Sequence, residues 1–123
     1  MASNYPPSPI QSLKTQFLGA HLTTLPMPSI ILDRSLIKKN CTAMLSVCAS
    51  LGVGFRAHVK SHKTLELSKL MVGDGLQGYE VPANFVVSTV AEAEGLVGYV
   101  REQQEMGREA SVCGPTILPH RKT

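Results

Sequence analysis

The sequence predicts an α/β fold in which parallel strands are joined by helices. Three observations carry this. Short apolar runs with β-branched residues alternate with segments of helical periodicity, in the order strand, helix, strand, helix, strand, helix, strand. Alternation at that spacing favours parallel strands with helical crossovers. The strands read as apolar on more than one side, as strands covered on both faces do. The third observation is length: a closed (β/α)8 barrel needs roughly 250 residues, and this chain has 123. On these grounds it is either a small open α/β sheet or the front half of a barrel.

Residues 1–24 read as a tail, with residues 25–123 as the folded domain. Five of the eight prolines (Pro6, Pro7, Pro9, Pro26 and Pro28) fall in the first 28 residues, where each removes a backbone donor and disfavours helix at the residue before it. A short helical turn is expected only around Gln11–Leu18. Pro28–Asp33 is an apolar run with two isoleucines and reads as a buried strand. Asp33 or Ser35 then suits a helix N-cap. Ile37, Cys41, Met44, Leu45, Cys48 and Leu51 form one apolar helix face, and Gly52 is placed to stop that helix.

Val53–Lys60 is the next expected strand. A helix over Ser61–Val72 follows, with Leu67, Leu70 and Met71 on one side and Gly73 and Gly75 at its end. Phe85–Ser88 is a third strand. Thr89 and Glu92 match the capping-box pattern, and the helix behind them carries Ala93, Leu96, Val97 and Val100 on one stripe. Gly95 and Gly98 weaken that helix or let it pack closely, and Gly107 ends it. Ala110–Cys113 starts a fourth strand, broken at Gly114-Pro115.

Composition narrows the class. The chain is 43% hydrophobic and 17% charged, with three Phe, three Tyr and no Trp, so it is not composed like a disordered chain and its core must come from aliphatic residues. Twelve Lys+Arg against nine Asp+Glu give a net +3, too mild to argue for nucleic acid. Three cysteines at no metal-ligand spacing suit a reducing compartment better than a disulfide scaffold. No apolar run approaches a membrane span, and the first 20 residues lack a secretory apolar stretch. The expectation is a soluble cytoplasmic protein with neither nucleic acid nor membrane as partner.

The segment Arg56-Ala57-His58-Val59-Lys60-Ser61-His62-Lys63 holds the chemistry. On a strand, Phe55, Ala57 and Val59 share one face while Arg56, His58 and Lys60 share the other. In a barrel, the inward face at the carboxyl end of a strand is where catalysis sits, and Lys60 would end the strand there. A lysine so placed could form a Schiff base, helped by burial and by neighbouring cations that lower its pKa. The alternative is a solvated edge strand whose basic residues face water. A nucleic-acid patch is a third reading, weakened by the absence of interleaved aromatics. Cys41 and Cys48 are expected in the core, Cys113 on the fourth strand without a ligand role, and His21 and His120 at the surface.

Three motifs together resemble the N-terminal part of D-serine dehydratase-like and D-threonine aldolase-like enzymes, the fold-type III pyridoxal-phosphate family with an alanine-racemase-type barrel. They are Pro28–Asp33 with Leu36, Ile37 and Asn40; Arg56–Lys63 with Thr64, Leu65 and Glu66; and Val87–Glu94. The middle one resembles the family's Arg-Pro-His-(Val/Ala)-Lys-Thr-His-Lys signature, with Ala57 in place of Pro and Ser61 in place of Thr. The segment Leu76–Asn84 is longer than the family's usual join.

The resemblance implies the first half of a (β/α)8 barrel of the alanine racemase N-terminal type. It implies pyridoxal 5'-phosphate as cofactor, held by Lys60 as the catalytic lysine, with His58 and Arg56 as cofactor-side residues. Lys63 is a lesser candidate for the same role. The implied reaction is conversion of D-serine to pyruvate and ammonia. Retro-aldol cleavage of D-threonine and a non-catalytic pyridoxal-phosphate-binding protein are the alternatives, and a partial gene product without stable fold is another. In the family a small D-amino acid is the substrate, the full-length enzyme is expected as a homodimer, and zinc assists. No zinc ligand is assigned here, because the matching His and Cys would lie beyond residue 123, as would the phosphate site and second domain. The chain is therefore expected to be a fragment, inactive alone.

Overall fold

In the computed structural model, residues 9–114 are described. The chain divides into two compact units, one up to Asp33 and one from Arg34 onward.

In the first unit, helix α1 spans Ile10–Phe17, matching the expected turn around Gln11–Leu18. A 3-10 turn, Leu22–Thr24, is capped by His21, whose Nδ1 accepts the Thr23 N–H at 3.3 Å. The strand expected at Pro28–Asp33 does not form. Ile30 is 89% exposed, and Ile31 and Leu32 are exposed too. An apolar run specifies what needs cover, but a strand exists only where a neighbour accepts its backbone hydrogen bonds, and among the described residues of this unit there is no other strand.

The second unit opens with α2, Arg34–Leu51, as expected. Leu45 and Cys48 are buried and Ile37 and Cys41 half-buried, whereas Met44 and Leu51, expected on the same face, are exposed. The helix ends in a Schellman motif: Gly52, at φ +63°, donates to Ala49 O at 3.2 Å and Val53 donates to Cys48 O at 3.1 Å. This explains why strand β1 is confined to Ala57–His58 rather than Val53–Lys60. The Val53 N–H is already committed to the helix end. Val59 adds one further ladder bond, to Val86 O at 3.2 Å.

Helix α3 spans Leu65–Met71, starting four residues after the expected Ser61. Residues 60–62 form a turn closed by Lys63 N–H donating to Val59 O at 2.8 Å. Lys63 itself sits at φ +51°, a left-handed conformation that cannot propagate a right-handed helix. Strand β2 is Ala83–Val86, two residues earlier than expected, so Ala83 and Asn84 of the long join belong to the sheet. Ser88 is outside it because its N–H caps the following helix. Helix α4 spans Val90–Glu105, and β3, Ala110–Cys113, falls where it was expected.

The strands form one parallel sheet in the order β1-β2-β3. Ala57 is opposite Phe85, and Phe85 is opposite Val112. The core lies between one sheet face and the helices: Ala57, Val59, Val72, Ala83, Phe85, Val87, Leu96, Tyr99, Val100 and Ala110. Phe85 is fully buried and meets Tyr99 edge-on, with ring centroids 6.2 Å apart. Tyr99 replaces Val97 on the buried side of α4, and Val97 is exposed. Nothing lies near Gly95 or Gly98, so these glycines loosen the helix rather than admit a close neighbour. Among the described residues no helix is long and apolar enough to cross a membrane.

Candidate active site

Strand alternation assigns the chemistry to the sheet face opposite the core. One row across that face holds Arg56, Asn84 and Ser111; the next holds His58, Val86 and Cys113. Lys60 and Ser88 follow at the carboxyl ends of β1 and β2. The expected split of β1 is therefore present: Ala57 and Val59 are buried, Arg56 and Lys60 are exposed, and His58 is half-buried between them.

His58 organises the end of β1. Its Nδ1 accepts the backbone N–H of Lys60 at 3.3 Å, and its Nε2 lies 3.5 Å from Ser88 Oγ. Nδ1 thus serves as acceptor for the turn, and Nε2 is the ring nitrogen that faces Ser88. The same device recurs four residues on. His62 Nδ1 accepts the Thr64 N–H at 3.1 Å, and its Nε2 lies 3.2 Å from Met71 Sδ. Burial pushes the His62 pKa below its ordinary value. Two imidazoles thus fold the turn that carries Lys60.

Arg56 sits one row nearer the amino ends of the strands. Its guanidinium donates to Ser111 Oγ at 3.0 Å; Ser111 donates to Asn84 Oδ1, and Asn84 donates to Glu109 Oε1 at 2.9 Å. This polar chain crosses the sheet and pins the three strands in register. His58 is joined to Lys60 through the lysine's backbone N–H, whereas Arg56 is engaged with Ser111.

The helix start beyond β2 is the other half of the site. Thr89 Oγ1 accepts the Glu92 N–H at 3.2 Å, as a capping box requires. Glu92 reaches back one residue further than the usual box: its Oε2 accepts the Ser88 N–H at 2.7 Å. Its side chain is 2% exposed, and its Oε1 faces Lys63 Nζ at 3.5 Å. The Ser88 N–H, with Lys63 and Thr89 adding to it against burial, holds the carboxyl below the usual glutamate range. A recess of about 450 Å³, bordered by Val87, Ser88, Thr89 and Gly114, opens beside this helix start.

Ser88, Lys63, Asn84 and Ser111 complete the arrangement, and sequence reasoning gave none of them a site role beyond Lys63 as a lesser candidate. The capping box signalled Glu92, but not that its free oxygen would meet Lys63. Cys48 is buried as expected; Cys41 is half-buried, with its thiol pushed up by burial, and Cys113 is exposed. Among the described residues no group of three His, Cys, Asp or Glu could hold a metal ion. His120 lies outside the described residues.

Over 92 residues, 75% of its length, the chain is 37% identical to a D-serine dehydratase of Schizosaccharomyces pombe. The chain resembles one segment of the D-serine dehydratases. A D-serine dehydratase of Saccharomyces cerevisiae is 31% identical over 117 residues, and one of Dictyostelium discoideum is 32% identical over 73. The chain spans only 21%, 27% and 18% of the lengths of these three relatives. No family model matches the chain, and no solved structure matches it significantly. The relatives thus bear out the D-serine dehydratase side of the resemblance seen in the motifs.

Proposed function

We propose that this chain carries the cofactor-attaching lysine of a D-serine dehydratase-like lyase, and that Lys60 is that lysine. One observation carries the reading. In a chain similar to D-serine dehydratases, the exposed amine of Lys60 follows β1 at the carboxyl end of a parallel sheet, on its polar face, with its backbone N–H held by His58. The residues present fit the aldehyde end of pyridoxal 5'-phosphate: an exposed lysine, an imidazole hydrogen-bonded to its backbone N–H, and the Ser88 hydroxyl against that imidazole. When bound, that cofactor supplies an electron sink for the pair left by a departing α-proton. The chain's own part is to present the Lys60 amine, to hold the turn beneath it through His58 and His62, and to keep Ser88 Oγ against His58 Nε2. The implied overall conversion is D-serine to pyruvate and ammonia, with a small D-amino acid as substrate.

The same reading makes the fold the opening part of a (β/α)8 barrel of the alanine racemase N-terminal type. The strand order follows the chain order without reversal, as it must when a sheet winds one way toward closure. An open doubly wound sheet reverses at a switch point. A homodimeric full-length enzyme belongs to this reading as well.

The test is borohydride reduction of the chain mixed with pyridoxal 5'-phosphate, followed by peptide mass mapping. Label concentrated on Lys60 is expected. Label spread evenly over the exposed lysines would overturn the proposal.

A further inference from the structure

Two lysines, Lys60 and Lys63, stand three residues apart in one turn at the reactive end of the sheet, and the structure treats them differently. Glu92 is buried, its Oε2 is committed to the Ser88 N–H, and its Oε1 has no hydrogen-bond partner. A buried carboxylate oxygen left without a donor is costly. The compensation is Lys63 Nζ at 3.5 Å, the only ion pair among the described residues. Lys63 reaches it from a left-handed backbone at φ +51°, uncommon for a residue with a Cβ. Lys60 has no carboxylate within ion-pair distance among the described residues; its neighbours on the same face are Arg56 and His58.

We propose that Glu92 determines which lysine reacts: it occupies Lys63 and leaves Lys60 as the amine open to an aldehyde. This rests on the proposed function, which it sharpens by naming a selectivity residue on a different element. The chemistry follows from what an amine must do. Its nitrogen needs a free electron pair to attack the aldehyde carbon, after which a C=N bond forms and the carbonyl oxygen leaves as water. A neighbouring carboxylate favours the ammonium, which has no free pair, and it tethers Nζ over the start of α4. Because Lys63 is 60% exposed, solvent screens the pair. The effect expected is that of a surface ion pair, up to about fivefold in relative reactivity.

Competitive labelling of the full chain with limiting acetic anhydride reads this without any cofactor. In that reaction the free amine attacks an acetyl carbon, an amide forms, acetate leaves and the amine proton goes to water. In the native chain Lys60 should acetylate faster than Lys63. Glu92→Gln keeps an N3 residue that can cap but removes the charge, and should raise Lys63 labelling by up to about fivefold with Lys60 unchanged. If a thermal melt shows that Glu92→Gln does not fold, Glu92→Asp, which withdraws the carboxylate by one methylene, should give a smaller rise at Lys63. An unchanged Lys63-to-Lys60 ratio in a folded variant would overturn the inference. Borohydride trapping with pyridoxal 5'-phosphate separates the two readings: label on Lys60 in the native chain and on both lysines in the variant supports both. Label on Lys60 alone in both proteins sinks the role of Glu92 and leaves the function. Label spread over all exposed lysines in the native chain sinks the function itself.

Discussion

The phenol of Tyr99 donates to Asp74 Oδ2 at 3.0 Å while the Arg108 guanidinium donates to the phenol oxygen from 3.3 Å. Arg108 also donates to the carbonyls of Val81 at 2.9 Å and Val72 at 2.8 Å and to Gln103 Oε1 at 2.8 Å. Lys69 lies 4.8 Å from the centre of the Tyr99 ring, within cation–π range. The network ties the end of α3, the approach to β2 and the end of α4 together at the amino ends of the strands. Lys60 is at the opposite end, so the two ends of the sheet divide structural and chemical roles.

Arg108→Met should destabilise the fold by about 2–3 kcal/mol, because the buried Val72 carbonyl loses its charged donor and other partners lose theirs. Arg108→Lys should not restore it, since one ammonium cannot reach several acceptors spread around a planar fork. Urea unfolding of the three proteins checks this; native-like midpoints for both variants would contradict the structure.

The Tyr99 pKa is pushed up to about 12, first by burial and then by Asp74. A group whose folded pKa is raised contributes stability below its unfolded value, and that contribution is lost as pH climbs through the folded one. Stability should fall between about pH 10, the unfolded tyrosine value, and pH 12. Absorbance titration should show one tyrosine ionising late, together with unfolding. Tyr99→Phe should remove that late step.

Glu92 acts at the other extreme. Its folded pKa lies below the usual glutamate value, chiefly because Ser88 N–H stabilises the charged form. Its contribution is present above the unfolded value and is lost as pH falls through the lowered one. Thermal midpoints should therefore drop below about pH 4.3, the unperturbed glutamate value, and Glu92→Gln should flatten that acid limb.

Gly73→Ala should be severely destabilising. Gly73 sits at φ +80°, and a Cβ there would lie 2.0 Å from the Tyr79 carbonyl oxygen. The left-handed conformation alone costs a residue with a side chain about 1–3 kcal/mol, and the contact with fixed backbone adds to it. Gly75→Ala shares the positive φ but meets nothing within 4 Å, so it should cost less. Comparing the two midpoints isolates the steric part.

The chain should self-associate at micromolar concentration. Among the described residues neither β1 nor β3 has a strand on its outer edge, and α2 exposes Met44, Val47 and Leu51. Free edges and uncovered apolar stripes both recruit partners. Sedimentation velocity should show a coefficient that rises with concentration; a constant monomer value would contradict this.

Periodicity and punctuation alone determined the helices α2 and α4 and the far end of α3, their glycine ends at Gly52, Gly73 and Gly107, the parallel alternation, and the two-faced character of Ala57–Lys60. These are local properties: helical spacing, Schellman geometry and strand alternation act within a few residues. What depended on distant partners was decided only in the tertiary structure. Pro28–Asp33 has the composition of a strand yet does not form one, while Ala83 and Asn84 became strand because the Glu109 carbonyl just before β3 and Ser111 within it pair with them. Tyr99 rather than Val97 turned inward because Asp74 and Arg108 satisfy its hydroxyl. The Lys60 motif was legible as a motif, yet the ion pair that separates Lys63 from Lys60 was not. It joins residues 29 positions apart, and only the packing of α4 against the sheet brings a buried carboxylate to the turn where both lysines stand.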